Sequence, residues 1–374
     1  MKTFLPLMIG LLLIGCQPRD QKKEAGTSRF FYVGTYTKGD SQGIYRYQLN
    51  SDGTLHRVGL AASSTNPSFL AITPDHRFLL AVNEIDQKGT GTVESYRIQG
   101  DTLLPLSTRS SGGAHPCHIA VDRQGFVLTA NYSSGNVGLL RLEEEGKLSD
   151  LLDVHQHHGR GATKRQKGPH AHMARFMHKG ESILAADLGT NELWFYRLDT
   201  SKSKLIPGQP QTLEMAEGAG PRHMTFHPNG RWIYVINELN STVTQVHKKA
   251  KADYLKGPSF STLPPDFQGE NYCADIHISS DGKFLYASNR GHNSIAIFKV
   301  NPQDGSLRMT NHHNIRGDWP RNFSLSPDEK YLLVANQKSD NIVAFRRDSS
   351  SGGLDYTGQI EAPSPVCILF ESSN

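Results

Sequence analysis

Charged, aromatic and imidazole side chains occupy the same two places in a phrase that recurs along this chain of 374 residues. The phrase opens with proline, runs through an apolar strand and a Pro-Asp or Asp-Gly turn, and ends in Asn after a second strand. The first place follows the opening residue, and its occupants are Ser68, Cys117, His170, Arg222, Ala274, Arg321 and Val366. The second follows the closing Asn or Asp, and its occupants are Glu84, Tyr132, Leu188, Glu238, Arg290 and Gln337, with Tyr36 near the N-terminus.

If the two places converge in space, three arginines, two glutamates, a histidine and two tyrosines share one site. Buried charges are costly unless they are paired or hydrated. Such a cluster therefore predicts a binding site for an anionic ligand. The alternative is a water-filled space lined with stabilising ion pairs, because a fold alone does not imply a function.

The repeated phrase also predicts the elements that position these side chains. Its opening residues are Pro67, Pro116, Pro169, Pro221, Cys273, Pro320 and Pro365, at intervals of 45 to 53 residues. Each interval holds four strand-length segments; in the sixth they are Asn322–Leu325, Tyr331–Ala335, Ile342–Arg346 and Thr357–Glu361. Four strands in a period of about 50 residues are typical of a β-propeller blade.

The seventh blade is predicted to combine both ends of the chain. The copy that starts at Pro365 holds one strand, and Phe30–Thr35, Ile44–Leu49 and Leu55–Ala61 supply three more. Their pairing would close the ring and remove two free sheet edges. We predict an all-β, seven-bladed propeller over residues 29–374, with the first strand of each blade lining a central channel. The alternative is an open or six-bladed array.

The N-terminal residues predict a targeting segment. Residues 1–15 combine a basic start with a short apolar run, which is typical of a signal peptide and short for a transmembrane span. Cys16 after Ile14-Gly15 resembles a bacterial lipobox, so we expect a lipidated cysteine and a flexible tether over residues 16–28. The expected location is the bacterial cell envelope, periplasmic or surface-facing, with the lipid as the only membrane contact. The alternative is an ordinary secretory signal with a chance cysteine.

Charge and cysteine content argue against several function classes. The formal net charge of +4 is small, and no basic run with interleaved aromatics indicates a nucleic-acid partner. Three cysteines remain after processing, namely Cys117, Cys273 and Cys367, and none forms a C-x-x-C pair. They predict buried free thiols rather than a zinc or redox site.

The stretch His155–His172 is a polar, histidine-rich insertion between two blades. Its imidazoles could bind a metal ion, but no carboxylate or thiolate accompanies them at ligand spacing. The insertion also carries four basic residues, Arg160, Lys164, Arg165 and Lys167, which would repel a cation. A basic lip that recruits an acidic substrate is the favoured interpretation.

Four passages resemble the propeller-type lactonase family, which groups bacterial 6-phosphogluconolactonases with fungal carboxymuconate-lactonising enzymes. The passages are Phe31–Thr37, the insertion from His158-Gly-Arg-Gly to Pro169-His-Ala-His172, Gly218–Pro228 and Val235–Leu239. The resemblance extends from Phe30 to Phe370. It implies a seven-bladed fold and a lactone-cleaving site at the channel mouth, without a metal or an organic cofactor.

The resemblance also implies roles for individual residues. The family's proposed histidine, two arginines and glutamate match His170, Arg222, Glu238 and Arg290, and the Pro-His-Ala-His motif lets His172 align in place of His170. The expected substrate contacts are Glu84, Tyr132, Arg165, His172, Arg321 and Gln337. Arginine donors would stabilise the oxyanion formed when water adds to a lactone. Arg222 would lower the pKa of Glu238, which leaves a neutral histidine as the better base at pH 7.

The implied reaction is hydrolysis of a sugar lactone, either 6-phosphogluconolactone or a related aldonolactone. Export would make an unphosphorylated lactone the more accessible substrate. Two alternatives remain open. One is lactonisation of a muconate-type dicarboxylate by the same side chains, and the other is a non-catalytic propeller that binds a glycan or a protein at the envelope.

Overall fold

A computed structural model describes residues 1–2, 28–177, 182–249 and 253–371. The predicted lipidation site Cys16 and nearly all of the predicted tether lie outside these residues. Within them, 28 strands form seven four-stranded antiparallel sheets, each of which is one blade. The predicted seven-bladed propeller is therefore confirmed. The described residues include no helix that is long and apolar enough to cross a bilayer.

Six blades each use four consecutive strands, with the innermost strand first in the chain. They are β4 (Phe69–Ile72), β5 (Phe78–Gln87), β6 (Thr90–Gln99) and β7 (Thr102–Ser110); β8 (Pro116–Val121), β9 (Phe126–Asn131), β10 (Asn136–Arg141) and β11 (Asp153–Gln156); β12 (Ala171–Phe176), β13 (Ser182–Asp187), β14 (Glu192–Asp199) and β15 (Lys204–Glu214); β16 (Pro221–Phe226), β17 (Trp232–Asn237), β18 (Thr242–Lys248) and β19 (Tyr254–Ser261); β20 (Tyr272–Ile278), β21 (Phe284–Arg290), β22 (Ser294–Val300) and β23 (Leu307–Asn314); and β24 (Pro320–Leu325), β25 (Tyr331–Asn336), β26 (Asn341–Arg347) and β27 (Leu354–Glu361).

The closing blade joins both ends of the chain. It consists of β28 (Pro365–Phe370) innermost, followed by β1 (Arg29–Thr35), β2 (Gly43–Leu49) and β3 (Leu55–Ser63). β28 and β1 are antiparallel, with Phe31 opposite Phe370 and Val33 opposite Ile368. Just beyond β28, Glu371 accepts a hydrogen bond of 2.8 Å from the Arg46 side chain on β2. The prediction of a blade shared by both termini is confirmed.

The core consists of seven clusters of buried apolar side chains, one between each pair of adjacent blades. The second strands are covered on both faces, so they are apolar runs rather than alternating patterns. β17 and β25, for example, are buried at every position. The fourth strand β27 lies at the rim and is largely exposed. This stacking holds the inner strands rigidly around the channel.

Candidate active site

A repeated junction between blades orients the side chains at one mouth of the channel. The residue before the first proline of a blade has a left-handed backbone, with φ between 43° and 68°, at Asn66, His115, Gly220, Trp319 and Ser364. The carbonyl oxygen of this residue accepts a hydrogen bond from the N–H of the residue at the second repeated place, over 2.8 to 3.1 Å. These donors are Glu84, Tyr132, Glu238, Gln337 and Tyr36. The junction thereby fixes the backbone from which each of these side chains extends.

A β-bulge at the start of the inner strand positions the other set. In four blades, the pairing register between the first and second strands shifts within the first three residues of the inner strand. The shifts lie at Pro116/His118, Ala171/Met173, Pro221/His223 and Pro320/Asn322. The extra residue of a bulge is left unpaired, and such bulges redirect side chains near functional sites. The residues released in this way are Cys117, His172, Arg222 and Arg321.

The inner strand of the blade with the insertion begins two residues later than the count from Pro169 predicts. β12 starts at Ala171, so His172 is the bulged residue. His170 occupies the place of Gly220, and its carbonyl oxygen accepts the Leu188 N–H at 3.0 Å. Sixteen residues separate Pro221 from Asn237, and the same interval back from Asp187 gives Ala171. The strand-ending Asp187 is thus the sequence signal that locates this blade.

The two sets meet in a cavity of about 480 Å³, which we call the mouth cavity. It is lined by Tyr36, Glu84, Cys117, Tyr132, Arg165, His172, Glu238, Tyr272, Arg290, Trp319, Arg321 and Gln337. Arg222 lines a much smaller space directly below, together with Cys117, His172 and Arg321. The structure therefore brings together every predicted site residue of the channel except His170. The ring of His170 instead stacks on that of Tyr132, with the centroids 4.5 Å apart.

Glu238 is the centre of the largest charge cluster in this cavity. Its Oε2 accepts a hydrogen bond from Arg222 Nε at 3.0 Å and forms an ion pair with Arg290 Nη2 at 2.7 Å. Its Oε1 accepts one from Arg165 Nη2 at 3.2 Å. Arg222 and Arg290 are buried, whereas about half of the Arg165 side chain is exposed. As the spacing of 16 residues predicted, Arg222 and Glu238 meet at the channel mouth, with Arg290 from the next blade.

These arginines keep Glu238 ionised. Burial by itself would raise the pKa of this carboxyl, but Arg290, Arg222 and Arg165 outweigh it and lower the pKa to about 2. Burial and the repulsion of neighbouring arginines lower the pKa of Arg222 to about 10, so it remains charged at pH 7. A carboxylate with so low a pKa is a weak base, and its role here is to hold the arginine donors in place.

A second cluster lies across the cavity. Tyr36 Oη donates a hydrogen bond of 2.8 Å to Glu84 Oε2 and accepts one of 2.7 Å from Arg321 Nη2. Arg321 and Glu84 approach to 4.0 Å. Burial raises the pKa of the Tyr36 hydroxyl above its usual range, so the hydroxyl stays protonated. Together the two clusters contain four arginines and two glutamates, a formal excess of two positive charges that favours an anionic ligand or intermediate.

His172 is the histidine that lines the mouth cavity. It is buried, and burial followed by the positive charge of Arg222 lowers its pKa well below the usual value. Its imidazole is therefore neutral at pH 7. Nδ1 lies 3.7 Å from the Cys117 sulfur, and among the described residues Nε2 has no hydrogen-bond partner. A neutral imidazole with a free nitrogen can accept a proton from a bound water.

Two aromatic residues of the lining were missed by the sequence analysis. Tyr272 and Trp319 form one wall, with ring centroids 6.2 Å apart, and the Lys338 ammonium lies 3.4 Å from the Trp319 ring centroid. Each stands directly before the residue that opens a copy of the repeat, Cys273 or Pro320. For Trp319, its position directly before the opening Pro320 would have been the signal in the sequence.

The insertion contributes two side chains to the cavity, namely Arg165 and, at its last position, His172. The other basic residues of the predicted lip, Arg160, Lys164 and Lys167, are exposed. His157 is fully buried and is hydrogen-bonded at 2.6 Å to both Asp187 and Tyr196, so it serves the core.

Among the residues that the structure describes, the site has neither a cluster of metal-ligating side chains nor a disulfide. In the described ranges, no group of three His, Cys, Asp or Glu side chains is arranged to hold a metal ion. Cys117, Cys273 and Cys367 are free and buried, as predicted.

Comparisons with known proteins match the whole propeller. The family model described as "Lactonase, 7-bladed beta-propeller" matches residues 30–370. A 6-phosphogluconolactonase of Bacillus subtilis is 36% identical over 345 residues, which cover 91% of this chain and 97% of that protein. Among solved structures, a periplasmic gluconolactonase of Pseudomonas aeruginosa has a TM-score of 0.88 at 31% identity, covering 92% of this chain and 99% of its own. A putative 6-phosphogluconolactonase of Bacteroides fragilis has a TM-score of 0.87 at 34% identity, covering 93% and 99%.

Proposed function

Since the chain belongs to the family of seven-bladed β-propeller lactonases, we propose that it hydrolyses a sugar lactone in the mouth cavity. One observation carries this proposal. A neutral, buried histidine and three arginines line the mouth cavity, and Arg222 lies directly below it. Two glutamates balance only half of the charge of these four arginines. Lactone hydrolysis needs a proton acceptor for water and cationic donors for the oxyanion, and this arrangement offers both.

In the proposed reaction, water adds to the lactone carbonyl carbon while His172 accepts its proton. The carbonyl oxygen becomes an oxyanion, and an arginine donor aimed at that oxygen is worth about 3 kcal/mol in the transition state. The bond between the carbonyl carbon and the ring oxygen then breaks. The ring oxygen takes the proton back from His172 and leaves as a hydroxyl, so that the product is the open-chain acid. Glu238 holds Arg222 and Arg290 throughout.

The substrate class that we propose is an unphosphorylated aldonolactone. The excess of two positive charges does not require a phosphate, because the oxyanion and the product carboxylate are themselves anionic. The Pseudomonas aeruginosa relative, described as a periplasmic gluconolactonase, supports this choice, as does the predicted export of this chain. The Bacillus subtilis relative, described as a 6-phosphogluconolactonase, makes the phosphorylated lactone the natural comparison.

The decisive experiment is a substrate panel with the purified mature protein. The panel contains D-glucono-1,5-lactone, its 6-phosphate and cis,cis-muconates, and each rate is corrected for spontaneous hydrolysis. We expect enzymatic opening of the glucono-lactone. Turnover of muconate alone would indicate the lactonising reaction instead, and inactivity on every lactone would contradict the proposed function.

The two histidines of the Pro-His-Ala-His motif are expected to differ in effect. Replacing His172 with glutamine removes the proton acceptor of the cavity, and general-base losses are typically about 100-fold or more in kcat. Replacing His170 with alanine removes a ring that stacks on Tyr132 outside the cavity lining, so kcat should change only slightly. Steady-state kinetics of the two variants measure the difference, and a larger loss of kcat at His170 would reverse the assignment.

We also propose that the mature protein is held at the bacterial cell envelope by acyl chains on Cys16. The apolar run that ends in Ile14-Gly15-Cys16 supports this proposal. In cells given an alkyne fatty acid, the wild-type protein should become labelled and sediment with membranes, whereas a Cys16→Ser variant should stay unlabelled. Equal labelling or equal solubility of the two proteins would contradict the anchor. The lactonase proposal stands independently of this result.

A further inference from the structure

Below the mouth cavity, a chain of buried hydrogen bonds continues from Arg222 into the channel. Arg222 Nη1 lies 3.3 Å from His223 Nε2, and His223 Nδ1 lies 2.9 Å from Asp275 Oδ1. All three side chains are at least 94% buried. Neither His223 nor Asp275 lines the mouth cavity. Both line a second cavity of about 330 Å³ at the other end of the channel, which we call the rear cavity.

The directions of these hydrogen bonds follow from the groups involved. An ionised carboxylate only accepts, so His223 must donate its Nδ1–H to Asp275. A neutral imidazole then has its lone pair on Nε2, where it accepts an N–H of Arg222. The guanidinium of Arg222 is thus held by His223, by the Ala274 carbonyl oxygen at 2.5 Å and by Glu238.

The charge states required for this arrangement are those that the surroundings favour. Burial and the adjacent Arg222 lower the pKa of His223 to about 4, so the ring is neutral at pH 7. Burial opposes ionisation of Asp275, but His277, His223 and hydrogen bonds outweigh it, and the pKa lies well below the usual value. The carboxylate accepts hydrogen bonds from five groups, namely the side chains of His223, His277 and Asn322 and the backbone N–H of Ile276 and Phe323.

We propose that His223 and Asp275 are positioning residues, which fix the tautomer of His223 and thereby the orientation in which Arg222 meets the lactone oxyanion. Asp275 orients an imidazole, as the carboxylate of a catalytic triad does. Here, however, the imidazole positions an arginine and does not activate a nucleophile. The kinetic consequences rest on the proposed lactonase function. The structural consequence is independent of that function: the Arg222 guanidinium should move when its acceptor on His223 is lost.

Two substitutions of His223 separate positioning from packing. The ring packs against Phe69, His118 and His172, so leucine should fill most of the same space. Losing the hydrogen bonds to the buried Arg222 and Asp275 should lower the melting temperature without unfolding the protein. His223→Leu removes the acceptor for Arg222, and kcat and kcat/KM should both fall by about 10-fold or more, as for an interaction made mainly in the transition state. His223→Gln places an amide oxygen near the Nε2 position and should restore most of the turnover.

A change on the other side of Asp275 is the matched control. His277 donates to Asp275 Oδ2 at 3.1 Å and is partly exposed in the rear cavity. His277→Gln removes an imidazole from the same carboxylate but leaves the His223–Arg222 contact in place, so turnover should stay near that of the wild type. If the leucine and glutamine variants of His223 were equally active, or if His277→Gln lost as much activity as His223→Leu, the positioning role would be refuted.

Two measurements without substrate complete the test. Nitrogen-15 NMR of labelled histidine should show His223 protonated at Nδ1 in the wild type and at Nε2 in Asp275→Asn. A crystal structure of His223→Leu should show the Arg222 guanidinium turned away from Glu238. An unmoved guanidinium or an unchanged tautomer would overturn the inference even if no lactone were hydrolysed. Inactivity of the wild type together with both structural changes would instead refute only the proposed function.

Discussion

Replacing Arg222 with alanine is expected to lower kcat/KM for lactone hydrolysis by about 100-fold or more. Arg222 is buried directly below the mouth cavity, where solvent cannot replace it in stabilising an oxyanion. Its loss should affect folding much less, because Glu238 keeps Arg290 at 2.7 Å and Arg165 at 3.2 Å. Initial rates and melting temperatures of the same preparations measure the two effects separately.

Arg175 provides the matched control for this substitution. It lies on the inner strand β12 and lines the rear cavity, with Phe226 as a cation–π neighbour. An Arg175→Ala variant also loses one positive charge near the channel axis, but at the end remote from the proposed reaction. We expect it to retain lactonase activity. If Arg222→Ala kept full activity, or if it lost activity only in proportion to a lowered melting temperature, a structural ion pair would explain the residue better.

Deleting residues 365–374 is expected to abolish cooperative folding. The deletion removes β28, the innermost strand of the closing blade, and leaves the inner edge of β1 unpaired. It also removes Cys367 and Ile368 from two of the clusters between blades. Exposed strand edges pair with other chains, so aggregation should accompany the loss of stability.

Thermal unfolding and light scattering test this expectation. Deletion of residues 372–374 alone is the control, because it leaves β28 and Glu371 in place, and the melting temperature should remain near that of the full chain. A protein without residues 365–374 that melted within a few degrees of the full chain would show that the ring does not depend on β28.

The fold was predictable because the repeat carries its own period and turn signals. The opening prolines, the strand-ending asparagines and the half-copy at Pro365 were sufficient to predict seven blades and a closing blade shared by both termini. The contact between Arg222 and Glu238 followed from the same reasoning, since 16 residues join the two ends of one hairpin. The catalytic roles of these residues remain predictions.

Other parts of the site were not predictable from the repeat. The register of the blade after the insertion was wrong by two residues, because Pro169 belongs to the insertion and Ala171 opens the inner strand. The position of Asp275 could not be predicted, because the bulge of its strand extends from Cys273 to Ile276 and places this carboxylate at the rear cavity. Tertiary contacts, such as the one between Trp319 and Lys338, cannot be predicted from the spacing of residues in the sequence.

The closing blade also sets the order of events during synthesis. β1 ends at Thr35, yet the strand that covers its inner edge begins only at Pro365. A nascent chain therefore cannot complete its ring until β28 has emerged from the ribosome, however early the other blades assemble. Pairing between such distant segments is slow to form. A chain that must be threaded through a translocation pore before it folds would gain from this delay, because the last hydrogen bonds form only when the whole propeller is available.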